Sequence, residues 1–313
     1  MISFIKVVKT HFLPSLNGIV ASDKLYKRYN SSVLFNPSVT LHAISLDEFK
    51  EFCEVDLQLA HRTAITHASR IRNFLRHTKK QNVSTSDIRQ FLKVIKQEHY
   101  SSYGGFVSSI KIFFRDYLNA EYLVRTFKHP KPLEPVKHCI TKTQIQVFYN
   151  AIKRLKEQAY FLVLASTGLR KGECLSLTLN NIDMTNRMIT PNSHGSSRTK
   201  RSYVTFYNEE TEEILQQYLK SKRKATRYIF THDRIGFLSN PWKEVKEETG
   251  IYITPRILRE WFCNEMGMLG VQDRYIDAFC GRVPRSILAR HYTDYSPERL
   301  KRIYDKANLR VLS

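Results

Sequence analysis

The segment Ala165-Ser-Thr-Gly-Leu-Arg-Lys-Gly-Glu-Cys-Leu-Ser-Leu-Thr-Leu-Asn-Asn-Ile-Asp183 reads as a helix, a sharp turn and a second helix. Gly168 supplies the backbone freedom for the turn, which places Arg170 at the start of the helix that follows, running through Leu177. At that position a guanidinium and the first backbone N–H groups of the helix act on the same anion. Glu173, one turn later, is placed to orient the guanidinium, and Leu175, Leu177 and Leu179 supply packing. A surface arginine on an ordinary helix-turn-helix fits the same residues, so the reading depends on what flanks them.

Upstream, Thr141 with Gln144 three residues on makes a capping box for a helix over Lys142–Lys156, followed by a second over Gln158–Ser166. Downstream, short strands are expected around Met188-Ile189 and Tyr203–Phe206, joined by the turn-rich Pro191-Asn-Ser-His-Gly-Ser-Ser. Asn208 caps a helix over Glu209–Lys220. Further helices are expected over Pro255–Met268, Gln272–Phe279, Arg285–His291 and Pro297–Ala307.

Before this region lies Lys128-His-Pro-Lys-Pro-Leu-Glu-Pro-Val-Lys137, whose three prolines cannot continue a helix and favour an extended connector. Ahead of it, Ser45 caps a helix beginning at Leu46, and Ala64, Ala68, Ile71, Phe74 and Leu75 trace one apolar face. A helix after Thr85-Ser86 carries Phe91, Leu92, Val94 and Ile95. Another buries Phe106, Ile110, Phe113, Phe114, Tyr117 and Leu118. The expected organisation is an N-terminal extension (1–45), a helical domain (46–127), a Pro-rich linker (128–137) and a second domain (138–313). The fold class is mainly α with a small β-sheet or hairpin.

Fifty Lys and Arg against 29 Asp and Glu give this 313-residue chain a net charge of +21, which points to a polyanionic partner. The charge is clustered. Residues 57–86 hold no acid but carry Arg62, Arg72, Arg76, Lys79 and Lys80, and 184–208 hold none but carry Arg198, Lys200 and Arg201. Both stretches suit DNA phosphates. Five widely spaced cysteines, never in a C-x-x-C pair, exclude the familiar zinc spacings and leave buried thiols in a reducing compartment as the default. No apolar run approaches the roughly 20 residues of a membrane span, so an intracellular protein is expected, cytoplasmic or nucleoid-associated.

Two later segments carry further candidates. In Thr254-Pro-Arg-Ile-Leu-Arg259, Thr254 caps a helix with Pro255 in its first turn. Arg256 and Arg259 at i and i+3 share a face and are expected to converge on one phosphate. The other runs from Phe279-Cys-Gly-Arg282 to His291-Tyr-Thr-Asp-Tyr295 and on to Tyr304-Asp-Lys-Ala307.

The three segments resemble the boxes of the tyrosine recombinases, the phage-integrase family. Ala165–Asp183 is similar to T-G-L-R-x-x-E-L-x-x-L, with Cys174 in place of a leucine; 256–259 is similar to H-x-L-R; 280–307 is similar to L-G-H … Y-T-H … Y-x-K-A. Arg256 and Arg282 depart from the pattern, the first standing where histidine is usual and the second where histidine or tryptophan is. A basic residue in place of the first histidine is shared with integrases of archaeal viruses and plasmids.

The resemblance implies a core-binding domain plus a catalytic domain acting on specific sites in double-stranded DNA. Tyr292 is the implied nucleophile, forming a 3′-phosphotyrosine, with Tyr295 as its near neighbour. Arg170, Arg256, Arg259 and Arg282 are implied cations at the phosphate, Glu173 orienting. The catalytic lysine is expected on the basic hairpin, as Lys200, with Arg198 and Arg201 as competitors. An arginine at 256 can donate but not accept a proton, so the base for Tyr292 must lie elsewhere. No cofactor or metal is implied, and no carboxylate cluster suits one. Rejoining would integrate or excise a mobile element in the host of a virus or plasmid, from a tetramer held through the C-terminal helix, whose packing on its own chain is an equal expectation. A type IB topoisomerase-like enzyme and a silent DNA-binding relative are the alternatives.

Overall fold

In the computed structural model, which describes residues 38–40, 45–131, 139–192, 204–222, 227–230, 240–283 and 286–313, two compact units form, Met1–Glu134 and Pro135–Ser313. Within the stretch read as an extension, Ser38–Thr40 forms β1, antiparallel to β2 (Asn82–Ser84) with Val39 opposite Val83. Ser45 accepts from the Glu48 amide at 3.2 Å and opens α1 (Leu46–Val55). Then come α2 (His61–Thr78), α3 (Thr85–Glu98) and α4 (Tyr100–Lys111), which runs into a π-helical turn over Ile112–Tyr117.

The apolar stripes of these helices meet as an aromatic core. Phe49 and Phe74 each meet neighbouring rings edge to face, Phe113 at 5.1 Å and Phe91 at 5.2 Å. On α2 the buried Ala64, Ala68, Ile71 and Phe74 face this core. Arg62, Arg72 and Arg76 lie exposed within about 80° of arc on the far side, at 100° per residue.

The helix expected after Thr85-Ser86 starts earlier, at Thr85, and Ser84 caps α3 in a reciprocal box with Asp87. Burial pushes the Asp87 carboxyl up, but hydrogen bonds from Lys80 (2.6 Å) and Ser84 outweigh it and hold the pKa at about 2, below the usual 3.8. Because the folded pKa is depressed, the stabilisation is present above about pH 4 and lost as pH falls towards 2. Asp87→Asn is therefore expected to cost about 1–2 kcal/mol at pH 7. In urea unfolding the gap from the parent protein closes between about pH 4 and pH 2.

The second unit is built around a helix with no solvent face. After α5 (Lys142–Asn150), α6 (Leu155–Thr167) is buried at every position from Ala159 to Thr167: Ala159–Ala165 is an unbroken apolar run, and the Ser166 and Thr167 hydroxyls donate to the Leu162 and Val163 carbonyls. The first expected helix stops six residues early: the chain turns at Ala151, and the Ile152 carbonyl accepts from the Gln158 side-chain Nε2 at 2.8 Å. Next are α7 (Lys171–Leu175) and a three-stranded antiparallel sheet of β3 (Ile182–Asp183), β4 (Met188–Ile189) and β5 (Thr205–Phe206), in the order β3-β4-β5. Leu179, expected to pack, is 64 % exposed.

Asn208 caps α8 (Glu209–Ser221) by accepting from the Thr211 amide, and α8 packs on α6. A helix not expected from the sequence, α9 (Asn240–Thr249), sets Trp242 against Phe148 and Phe161. The rest is α10 (Pro255–Met268), α11 (Asp273–Phe279), α12 (Ile287–His291) and α13 (Pro297–Ala307). The apolar face of α13 is used within its own unit: Leu300, Tyr304 and Ala307 are buried, and the Tyr304 hydroxyl donates to the Ser166 carbonyl at 2.8 Å. Among the described residues no helix is long and apolar enough to cross a membrane.

Candidate active site

Gly168 ends α6 in the left-handed region at φ 65°, and a Cβ there would sit 2.5 Å from the Phe262 ring. Only glycine meets both conditions without strain. The turn delivers Arg170 to the N-cap of α7, where Glu173 accepts from the Arg170 amide at 2.8 Å and from its guanidinium at 2.7 Å. One carboxylate thus caps the start of the helix and fixes the side chain.

Thr254 caps α10 by accepting from the Ile257 amide, and this helix carries Arg259 inward. Arg259 is 9 % exposed. Its guanidinium donates to the Gly168 carbonyl at 2.6 Å and to the Cys280 carbonyl at 2.7 Å. The next carbonyl, that of Gly281, accepts from Arg170 at 3.3 and 3.4 Å. Gly281 itself holds φ 57°, which aims consecutive peptide planes at two arginines. Arg282 follows, donating to Asp277 at 3.2 Å.

Arg170, Arg259 and Arg282 therefore form one cationic cluster around the Cys280–Gly281 turn. Burial lowers the pKa of Arg259, and the charges of Arg170 and Arg282 add to that effect while Cys280 and Glu173 oppose it. Its hydrogen-bond acceptors are neutral carbonyls, so the guanidinium, which stays protonated, keeps its charge for an incoming anion.

Arg256 departs from expectation. Its side chain is 83 % exposed and pairs with Glu260 at 2.9 Å, four residues along the same helix. Arg256 and Arg259 do not converge, because the two carbonyls draw Arg259 into the interior while Arg256 stays solvated in the first turn. Lys200, Arg198 and Arg201 lie outside the described residues, in the segment joining β4 to β5.

Tyr292 sits at the C-cap of α12 and is 78 % exposed; its amide donates to the Leu288 carbonyl. Tyr295 differs: its hydroxyl donates to the Ala289 carbonyl and its ring meets Tyr275 at 6.2 Å. In the first unit Arg62, Arg72, Arg76 and Lys79 are exposed, whereas Lys80 is paired with Asp87 rather than standing open. Among the described residues no group of three His, Cys, Asp or Glu side chains could hold a metal ion.

Sequence reasoning found the arginines but not what holds them. The carbonyls of Gly168, Cys280 and Gly281 leave no side-chain signature; the two glycines were the only signal available.

The family model for the phage integrase family matches residues 138–299. Tyrosine recombinase XerA of Saccharolobus solfataricus is 32 % identical over 133 residues, which is 42 % of this chain and 44 % of that protein. Tyrosine recombinase XerA of Pyrococcus furiosus is 24 % identical over 283 residues, covering 86 % of this chain and 96 % of the relative. Among solved structures, a lambda integrase dimer bound to a COC′ core site superposes with TM-score 0.63 at 15 % identity, over 82 % of this chain and 78 % of that one. The Tn1549 transposon integrase in complex with circular intermediate DNA gives 0.60 at 18 %, over 83 % and 98 %. These two likenesses concern the fold.

Proposed function

This chain belongs to the phage integrase family, and from that premise we propose that it is a site-specific tyrosine recombinase that cleaves and rejoins double-stranded DNA with Tyr292 as nucleophile. The observation that carries the reading is the cluster of Arg170 and Arg259, held by backbone carbonyls, with Arg282 beside them, on the unit that also presents an exposed tyrosine.

The Tyr292 oxygen attacks the scissile phosphorus, forming a 3′-phosphotyrosine and breaking the bond to the 5′-oxygen. The arginines stabilise the charge that develops on the non-bridging oxygens. Lys200 donates the proton that the leaving 5′-oxygen takes. The covalent link stores the phosphodiester bond, so the reverse attack by a 5′-hydroxyl of another strand rejoins DNA without an added energy source. Arg256 takes the part of a rim contact to a backbone phosphate rather than a place in the cluster. Arg62, Arg72, Arg76 and Lys79 on the first unit are assigned to the duplex backbone, and the whole reaction serves integration or excision of a mobile element. Synapsis of two sites requires more than one copy. Since the apolar face of α13 is occupied at home, contact between copies uses a different surface or an exchange of that helix.

The test is a nicked DNA carrying a candidate site, from which the cleaved 5′ fragment diffuses away, mixed with the full chain in EDTA. A protein–DNA adduct that survives denaturant is expected. Binding without adduct on every candidate site would replace this reading with a silent DNA-binding protein.

A further inference from the structure

Cys263 and Cys280 stand 3.4 Å apart, sulfur to sulfur, on different elements of the second unit. Cys263 lies one turn beyond Arg259 on α10, and Cys280 caps the end of α11. Cys280 is buried, whereas Cys263 is half-buried and lines a cavity of about 650 Å³ together with Cys139, Glu260, Asn264 and Arg282. A small solute therefore has a route to the Cys263 sulfur. The Arg282 guanidinium approaches that sulfur at 3.7 Å.

These surroundings separate the two thiols chemically. The hydrogen bond with Cys280 is the largest influence on Cys263 and lowers its pKa; burial opposes this, and the charges of Arg282 and Arg259 reinforce it. Cys280 moves the other way, raised by the same hydrogen bond and by burial. Cys263 is therefore the member that ionises more readily, to the thiolate form that reacts with oxidants, and Cys280 is the thiol in contact with it. Cys53 and Cys174 are buried with raised pKa values, burial being the main cause in each. Both lack that activation.

We propose that Cys263 and Cys280 form a redox modification site at which a hydroperoxide converts the pair to a disulfide. The Cys263 thiolate attacks the peroxide oxygen, the O–O bond breaks, and the departing alkoxide or hydroxide takes a proton to leave as alcohol or water. Cys263 is then a sulfenic acid. The Cys280 sulfur attacks it, the S–O bond breaks, and the expelled hydroxide takes the Cys280 proton as water. In sum, two thiols and one hydroperoxide give one disulfide, one alcohol or water from the peroxide, and one further water. The two electrons come from the sulfurs.

The bridge needs the sulfurs to close by about 1.4 Å, from contact to the bond length of a disulfide. It would tie α10 to the turn whose carbonyls hold Arg259 and Arg170, and it would remove the thiolate beside Arg282. Intracellular disulfides of this kind are commonly transient and redox-sensing. The inference rests on thiol chemistry alone, so its failure and that of the proposed DNA reaction are separable.

The experiment exposes the full chain to equimolar hydrogen peroxide at neutral pH, then denatures it in N-ethylmaleimide for intact mass and peptide mapping. Two thiols are expected to escape alkylation, so that the oxidised chain is lighter than the reduced one by two maleimide adducts and two hydrogen atoms, and a Cys263–Cys280 peptide to appear. The pair should be consumed about tenfold faster than the exposed Cys139 of the same chain. In Cys280→Ser the reaction is expected to stop at a sulfenic acid on Cys263 that dimedone captures. Because position 280 is buried, Cys263→Ser at the half-buried site is a second variant, expected to abolish the crosslink. Oxidation of Cys139 first, with the pair still reduced, or a bridge joining Cys139 to Cys263, overturns the proposal.

Discussion

Tyr292→Phe is expected to yield no denaturation-resistant adduct on the nicked substrate while binding the same DNA within about twofold of the parent protein. The oxygen it removes is the proposed nucleophile. The rest of the ring is 78 % exposed, so the change falls outside the core and costs at most about 0.5 kcal/mol. Tyr295→Phe gives the reverse signature: adduct formation persists, but the hydroxyl's hydrogen bond to the Ala289 carbonyl is lost, at about 1 kcal/mol. Gel analysis after denaturation and urea unfolding read the two effects separately. An adduct in the Tyr292 variant, or its loss only in the Tyr295 variant, would move the nucleophile three residues along the chain.

The second large effect concerns Arg259. Arg259→Ala removes a buried cation and strands the Gly168 and Cys280 carbonyls that accept from it at 2.6 and 2.7 Å. A loss of about 2–4 kcal/mol in stability is expected from the unsatisfied acceptors. A fall of at least about 100-fold in the single-turnover rate of adduct formation is expected from the missing transition-state charge. Arg259→Lys separates the two. An ammonium keeps the charge but lacks the planar fork that spans both carbonyls, so it should recover part of the rate and little of the geometry. A rate for Arg259→Ala within about tenfold of the parent, measured at saturating DNA, would remove Arg259 from the chemistry.

Much of the fold could be read from local chemistry. Ser45, Thr141 with Gln144, Asn208 and Thr254 all cap the helices expected of them, because capping is decided within four residues of chain. The apolar run Ala159–Ala165 likewise had one outcome, a buried helix, which ends at Gly168 in a left-handed turn. What escaped depends on distant partners. The α9 helix has a short apolar stripe, Trp242 and Val245, that gains meaning only against the aromatic rings of α5 and α6. Arg256 and Arg259 look alike at i and i+3, yet carbonyls 91 and 21 residues away from Arg259 turn it inward. The same holds for Lys80, which reads as one more open cation and is closed by Asp87. Leu300, Ile303 and Ala307 mark an apolar face in the sequence; whether a neighbour or the home unit covers it is a question of tertiary structure.

The arginine cluster is gripped by peptide planes, and this changes what substitution can do around it. At position 280 the side chain takes no part in holding Arg259; the carbonyl does. The residue type there is limited by burial rather than by that hydrogen bond, so a small side chain such as a thiol can acquire a second occupation at no cost to the first. Position 168 has no such latitude, since its φ, its missing Cβ and its carbonyl are all engaged. Two neighbours of the same guanidinium thus hold it in different ways, one with every atom engaged and the other through its backbone, its side chain limited by the space around it.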